Sequence, residues 1–370
     1  MSSVQANQTK SVKNILISLE NKRTSDFSRF EEICVQCASC GYYFDKICRV
    51  AFDNSQEIVR AIKEGTAHYE NIFLLYPVQM DNTVKAFVAE LLNASFDGLG
   101  ILQSGNISVF ALFSDNANRL TFADIKRALD GKYSTSYDRT VIRTVGAPLN
   151  IFEEAIASAK AVLQDSDAFI NVTESYGDCR IEIVYTHTTP KMAVDGAVRE
   201  IVKRLNNFVY AMNDTPLAEQ LYTLLKLRRM TLSVAESFTG GGISKRLVEI
   251  PGVSEVFFEG LNTYSNQAKM QRLGVNENTL RLHGAVSKET AKEMAEGLLV
   301  TGNCDIAVAT TGIAGPKSDN TSKPVGLAYI AVGSAHRDVL VYQFNFVGDR
   351  QIITQTAINQ ALFLAYKELK

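Results

Sequence analysis

A chain of 370 residues is longer than one compact core usually serves, so two or three domains are expected. Its 46% hydrophobic and 21% charged residues suit an ordinary folded globular protein, and a net charge of -2 supplies no global positive field to draw it to nucleic acid or anionic lipid. No apolar run reaches the length of a membrane span, and the Met1–Ser11 start is polar without an apolar signal core, so a cytoplasmic protein that neither crosses nor binds a membrane is expected.

The first ten or so residues are expected to lack fixed structure. From Asn14 strands and helices alternate: a strand at Ile15–Leu19, a helix through Cys40, a short strand at Cys48–Phe52, a helix over Ser55–Glu64 and the apolar run Ile72–Tyr76. A helix over Thr83–Leu92 and strands near Gly98–Leu102 and Ser108–Leu112 complete a mostly parallel sheet flanked by helices. The domain is expected to end within Asp130–Asp138, where Gly, Ser, Thr, Tyr and Asp dominate. Cys34, Cys37 and Cys40, with Cys48 beyond, superficially suggest an iron–sulfur site. The usual fourth Cys followed by Pro is missing, and the segment reads better as a helix ending at Gly41 with Phe30, Cys34 and Cys37 on its inner face. The isolated Cys179 and Cys304 add nothing resembling a disulfide framework.

A small α+β module follows: helices at Phe152–Leu163 and Ala193–Leu205, with a hairpin of Ala168–Glu174 and Arg180–Thr186 across Tyr176-Gly177-Asp178. Ala211–Asp214 then reads as a linker. The third unit opens with a helix from Leu217 to about Leu227, where Lys226, Arg228 and Arg229 form a solvated helix end. Strands are expected at Leu232–Ala235, Val256–Tyr264, Ile306–Thr310, Leu327–Val332 and Val339–Phe346, and helices at Gly242–Glu249, Gln267–Leu273, Lys288–Leu299 and Arg350–Lys367. The resulting domains are 12–140, 141–212 and 213–370.

The densest cluster of special residues is Ala235-Glu236-Ser237-Phe238-Thr239-Gly240-Gly241-Gly242, a strand running through hydroxyls and glycines into a helix. Free backbone N–H groups at such a helix start attract negative charge, and a hydroxyl there can act as a nucleophile beside an oxyanion site. The plainer reading is that Ser237 and Thr239 cap the helix, although three successive glycines exceed what capping requires. In Thr263-Tyr264-Ser265-Asn266-Gln267-Ala268-Lys269, the lysine falls in the first turn of a helix. There the helix dipole and any burial disfavour its charge, and a neutral lysine can take a proton from serine. Its alternative is a surface lysine at a helix start.

Thr310-Thr311-Gly312-Ile313-Ala314-Gly315-Pro316 reads as a second backbone cradle. Lys323-Pro324-Val325-Gly326 precedes a strand, and Gly348-Asp349-Arg350 opens the last helix, where an arginine is well placed to hold phosphate. In His283-Gly284-Ala285-Val286-Ser287, Ser287 is a natural N-cap and His283 a turn residue. His68, His187, His283 and His336 show no metal-ligand spacing, which argues against a zinc hydrolase, and no cofactor is expected.

Taken in order, A-E-S-x-T-G-G, T-Y-S-N-x-A-K, H-G-A-V-S, T-G-I-A-G-P, K-P-V-G and G-D-R resemble the C-terminal domain of the competence/damage-inducible CinA family. The resemblance implies a nicotinamide mononucleotide deamidase that forms nicotinic acid mononucleotide and ammonia, with Ser237 as nucleophile, Lys269 as base and Tyr264 as a hydrogen-bonding partner. It also implies that Thr239, Gly240 and Gly241 line the site. Physical inference adds Gly312, Ala314, Gly315 and Arg350 around the phosphate or ribose. Phe238 departs from the family pattern, which often has Cys there.

The front of the chain resembles the family's molybdopterin-binding-like domain only in outline, over Asp26–Asn54, and Arg143–Gly146 resembles the start of its middle module. Ser18-Leu19-Glu20-Asn21-Lys22 stands where the family has G-T-E-L-L, and Leu75–Asp81 stands where it has a glycine-rich loop. Without those glycines a diphosphate cannot approach the backbone, so a degenerate domain with lost pyrophosphatase activity and a structural or dimerising role is expected. The implied partners are a small nucleotide substrate and further copies of the chain. A competing reading is a non-catalytic nucleotide-binding protein acting in competence or DNA damage through protein partners.

Overall fold

The computed structural model describes residues 13–20, 28–39, 42–115, 120–133, 137–301, 303–317, 322–335 and 337–370, without the side chains of 28 and 39. The polar N-terminal stretch, Asn21, Lys22, Asp26, Cys40, Gly41 and His336 lie outside the described residues. The chain divides into two compact units, Met1–Arg139 with Val184–Thr188 and Thr140–Ile183 with Thr189–Lys370.

The first unit runs β1 (Asn14–Glu20), α1 (Ser28–Ser39), β2 (Lys46–Ala51), α2 (Ser55–His68), β3 (Asn71–Tyr76), α3 (Asp81–Leu92), β4 (Ile101–Ser104), β5 (Ile107–Phe113) and α4 (Phe122–Tyr133). Its sheet has the order β2-β1-β3-β5-β4, parallel except for the β4–β5 hairpin. Both faces are covered, which is why the β1 and β3 sequences are continuous apolar runs. Ile15, Ile17, Ile72 and Leu74 enter one core, while Leu16, Phe73 and Leu75 enter the other. Ile33 and Cys37 bury the inner face of α1, and Cys34 is half-buried at its edge. Helix α4 is absent from the expected elements, its apolar Phe122, Ile125, Ala128 and Leu129 being interspersed with the charged Asp124, Lys126, Arg127, Asp130 and Lys132. Its start is nevertheless marked by a reciprocal cap in which Asp124 N donates to Thr121 Oγ1 (3.3 Å) and Thr121 N donates to Asp124 Oδ2 (3.1 Å). Asp81 is the first residue of α3 and accepts from Tyr76 OH (2.8 Å) and Lys85 Nζ (2.9 Å).

Next come β6 (Tyr137–Val145), α5 (Leu149–Leu163), β7 (Phe169–Ser175), β8 (Asp178–Thr186), α6 (Lys191–Leu205) and β9 (Val209–Ala211), with sheet order β7-β8-β6-β9. The two helices and the hairpin follow the expected pattern. Strand β6 is unexpected: the polar stretch Asp130–Asp138, read as a boundary, holds the end of α4 and the start of β6. The stretch read as a linker begins inside β9, at Ala211.

The remainder comprises α7 (Leu217–Arg228), β10 (Leu232–Glu236), α8 (Gly242–Val248), β11 (Phe257–Asn262), α9 (Asn266–Leu273), α10 (Glu277–His283), α11 (Lys288–Val300), β12 (Ile306–Gly312), β13 (Leu327–Ser334), β14 (Arg337–Asn345) and α12 (Arg350–Leu369). Lys226, Arg228 and Arg229 are exposed at the end of α7, as expected of a solvated helix end. His283 is not a turn residue but the last residue of α10, a short helix capped by the Asn276 side chain on Asn278 N. The sheet order is β11-β10-β12-β13-β14, with β10 parallel to both neighbours and β12 to β14 antiparallel. The three parallel strands therefore end on one edge of the sheet, where open α/β sheets carry their ligand crevices. There β10 delivers Ser237, β11 delivers Thr263 and Tyr264, and β12 delivers Ile313 and Ala314.

Candidate active site

Ser237 follows the last residue of β10, its N–H donating to Thr310 O at 3.1 Å, and it is 8% exposed. Lys269 lies in α9, whose cap Ser265 accepts from Ala268 N, and it is 1% exposed. The two side chains meet: Lys269 Nζ is 3.0 Å from Ser237 Oγ, 2.8 Å from Thr263 O and 3.2 Å from Tyr264 O. Burial pulls the ammonium down to about 8. A neutral amine has two N–H donors and one lone pair. The two carbonyls take the donors, so the lone pair is left for the serine hydroxyl. Tyr264 takes part through its backbone carbonyl, while its side chain is 66% exposed at the rim.

These groups line a cleft of about 270 Å³. Seven of the expected residues stand in its wall: Ser237, Tyr264, Lys269, Gly312, Ala314, Gly315 and Arg350. Thr239, Gly240 and Gly241 do not. The Thr239 hydroxyl is buried against Thr310 Oγ1 at 2.8 Å. Gly240 and Gly241 adopt φ of 64° and 91°, and a Cβ on Gly242 would come within 2.3 Å of Ile358 Cδ1 on α12. Backbone conformation and helix packing thus account for all three glycines without a ligand.

The N–H groups at the start of α8, expected to be free for an anion, are already taken. The fully buried Glu236 carboxylate accepts from Gly241 N (3.1 Å), Ile243 N (3.0 Å), Ser244 N (2.8 Å) and Ser244 Oγ (2.8 Å). A buried carboxylate must be satisfied, and here the helix's own orphan donors do so. No acceptor among the described residues stands on the N–H groups of Phe238 and Thr239, and Phe238 is in the cleft wall. Its ring packs with Ala314, Ala328, Ile353 and Ala357, so the residue that departs from the family pattern anchors the loop in an apolar cluster.

The other singled-out segments hold the far wall. Lys323 Nζ donates to His283 O (2.7 Å) and Val286 O (2.6 Å), and Thr311 Oγ1 donates to Ala285 O (2.7 Å), so Ala285 and Val286 are fixed against the cleft. Ser287 caps α11 by accepting from Thr290 N, as expected. Arg350 Nη1 donates to Gly315 O at 2.8 Å. Lys317 also stands in the wall, which sequence reasoning missed, so two cations border the Gly315 turn. Among the described residues, no three His, Cys, Asp or Glu side chains are grouped to hold a metal ion, and no helix is long and apolar enough to cross a membrane.

Residues 214–369 match the family model described as "CinA C-terminal domain". The chain is 44% identical over 171 residues to a putative competence-damage inducible protein of Clostridium acetobutylicum, covering 46% of this chain and 41% of that protein. It is 49% identical over 151 residues to a protein of the same description from Clostridium beijerinckii, covering 41% and 37%. The chain thus spans less than half the length of these curated relatives. Among solved structures, a competence/damage inducible protein CihA from Agrobacterium tumefaciens is 40% identical, with 40% of this chain and 90% of that chain covered and a TM-score of 0.39. Through residues 214–369 the chain belongs to the competence/damage-inducible CinA family.

Proposed function

We propose that the domain spanning 213–370 hydrolyses the carboxamide of nicotinamide mononucleotide to nicotinic acid mononucleotide and ammonia. One observation carries this reading: a buried lysine, drawn down to about 8, lies 3.0 Å from a serine hydroxyl on a cleft wall. Ser237 attacks the carboxamide carbon as Lys269 takes its proton, and the Phe238 N–H donates to the oxyanion. The protonated lysine returns the proton to the departing nitrogen, the C–N bond breaks, and ammonia leaves. Water then cleaves the acyl-enzyme with Lys269 again as base, and every step proceeds without a cofactor. Gly312, Ala314, Gly315, Arg350 and Lys317 face the rest of the nucleotide, the two cations holding its phosphate.

A binder has no use for a buried lysine drawn down to about 8 and held against a serine, and that favours the amidase over the non-catalytic reading. The domain spanning 12–140 is a degenerate relative without pyrophosphatase activity, 141–212 is a middle module, and the chain works in the cytoplasm as a homodimer or larger assembly. Purified protein incubated with nicotinamide mononucleotide is expected to release ammonia and nicotinic acid mononucleotide in equal amounts, and Ser237→Ala to release neither. Nucleotide binding without turnover by the wild type would favour the binder.

A further inference from the structure

Glu236 is the buried ionisable group next to the nucleophile that the serine–lysine chemistry leaves unused. Its placement is unusual for a cap. Helix α8 has only seven residues, and its N-cap is Gly241, at φ 91°, which has no side chain to offer. The donors of Gly241, Ile243 and Ser244 are satisfied instead from the last residue of β10. Capping by a local Ser or Asp would stabilise the helix equally well. Capping from Glu236 does something more, because it ties the helix start to the strand end and brackets the chain between them. Ser237 and Phe238 are inside that bracket.

The bracket is closed on its other sides as well. Ser237 N donates to Thr310 O, Gly240 N to Ser237 O and Gly242 N to Thr239 O. The Ser244 hydroxyl adds a fourth bond to the carboxylate at 2.8 Å, and a Cβ on Gly260 of β11 would fall 2.1 Å from that same hydroxyl. Every donor between Ser237 and Ser244 therefore has an internal acceptor, except those of Phe238 and Thr239.

We propose that Glu236 is a positioning residue for the amidase reaction, its carboxylate locking the 237–241 loop so that the Ser237 hydroxyl stays on Lys269 and, of the two donors left over, the Phe238 N–H at the cleft wall is held for the substrate oxyanion. This rests on the amidase reading above. Glu236 touches neither substrate nor reacting atoms; it acts through the backbone it holds. Displacing a reacting group by about an ångström costs on the order of a hundredfold in rate, so the lock matters more for turnover than for nucleotide binding.

The test is Glu236→Gln in the full chain, with Ser244→Ala beside it. Glutamine keeps the shape but turns an NH2 group toward backbone donors. Per folded molecule, kcat on nicotinamide mononucleotide is expected to fall about a hundredfold, with nucleotide affinity within about threefold of wild type. Ser244→Ala removes one bond of the four and is expected to slow turnover by about threefold to tenfold. A purely structural role would lower the unfolding midpoint and leave kcat per folded molecule unchanged, which would overturn the proposal. Labelling of Ser237 by a fluorophosphonate is measured in parallel, because it reports serine reactivity without the nucleotide. Should the wild type label but release no ammonia, the substrate reading fails, and the labelling rates alone judge Glu236: a slower rate in the variants supports the lock, an equal rate refutes it. Should Glu236→Gln not fold, Ser244→Ala decides by the same measure.

Discussion

Glu236 and Ser237 are consecutive residues whose side chains serve opposite partners: the carboxylate binds the start of α8, while the hydroxyl lies 3.0 Å from Lys269 Nζ. Alternation at a strand end sends neighbouring side chains to opposite faces. One face becomes the scaffold and the other the cleft.

The buried lysine makes stability depend on pH in a defined direction. Its pKa is lowered from 10.5 to about 8 in the folded chain by burial. Below pH 8 both states hold the proton, and the fold bears the cost of a buried charge. Between about 8 and 10.5 the unfolded chain binds more protons, so stability gained from this group rises with pH. The unfolding free energy of wild type minus that of Lys269→Met is expected to increase over that window by up to about 3 kcal/mol. Urea titrations at several pH values check this, and a flat difference would mean that Lys269 is not desolvated.

The same group sets the pH profile of catalysis. Only the uncharged amine accepts the serine proton, so kcat/KM is expected to rise tenfold per pH unit below about 8 and to level off above it. A profile that falls across this range would require the ammonium form as the active one.

On the scaffold face, Gly242→Ala places a Cβ within 2.3 Å of Ile358 Cδ1. Overpacking of this kind costs about 1–3 kcal/mol. Because the obstructing atom is a side-chain tip, adding Ile358→Val is expected to recover part of the loss, measurable as a non-additive pair in thermal unfolding. Additivity would show that the two helices do not meet there.

At the other end of the cleft, Lys317→Ala and Arg350→Ala are expected to raise KM for the mononucleotide about tenfold each, with kcat little changed. Turnover of nicotinamide riboside, which lacks the phosphate, should respond to neither. An equal effect on both substrates would remove the phosphate from this end.

Much of the C-terminal fold was legible because its strands and helices carry full apolar periods. The serine and lysine were legible too, since a hydroxyl ahead of glycines and a lysine in a first helical turn are both locally odd. What escaped had weaker or misleading signals. Helix α4 sets Phe122, Ile125, Ala128 and Leu129 among five charged residues, a mixed signal that its Thr121–Asp124 cap resolves. The Gly240–Gly242 run suggested ligand contact, but its glycines answer to positive φ and to Ile358, a residue more than a hundred positions away. Glu236 was written into the motif, yet its task depends on a helix start folding back over it, which no local pattern records. Lys317 was missed because an exposed lysine after a proline is unremarkable until the Gly315 turn brings it to the cleft wall.

The most direct test of the central claim is ammonia release from nicotinamide mononucleotide at pH 8 by wild type and Lys269→Met, with nucleotide binding measured on both. Wild type is expected to turn over, and the variant to bind comparably while losing at least about a thousandfold in kcat. A Lys269→Met protein that binds the nucleotide and still releases ammonia at near the wild-type rate would contradict the account.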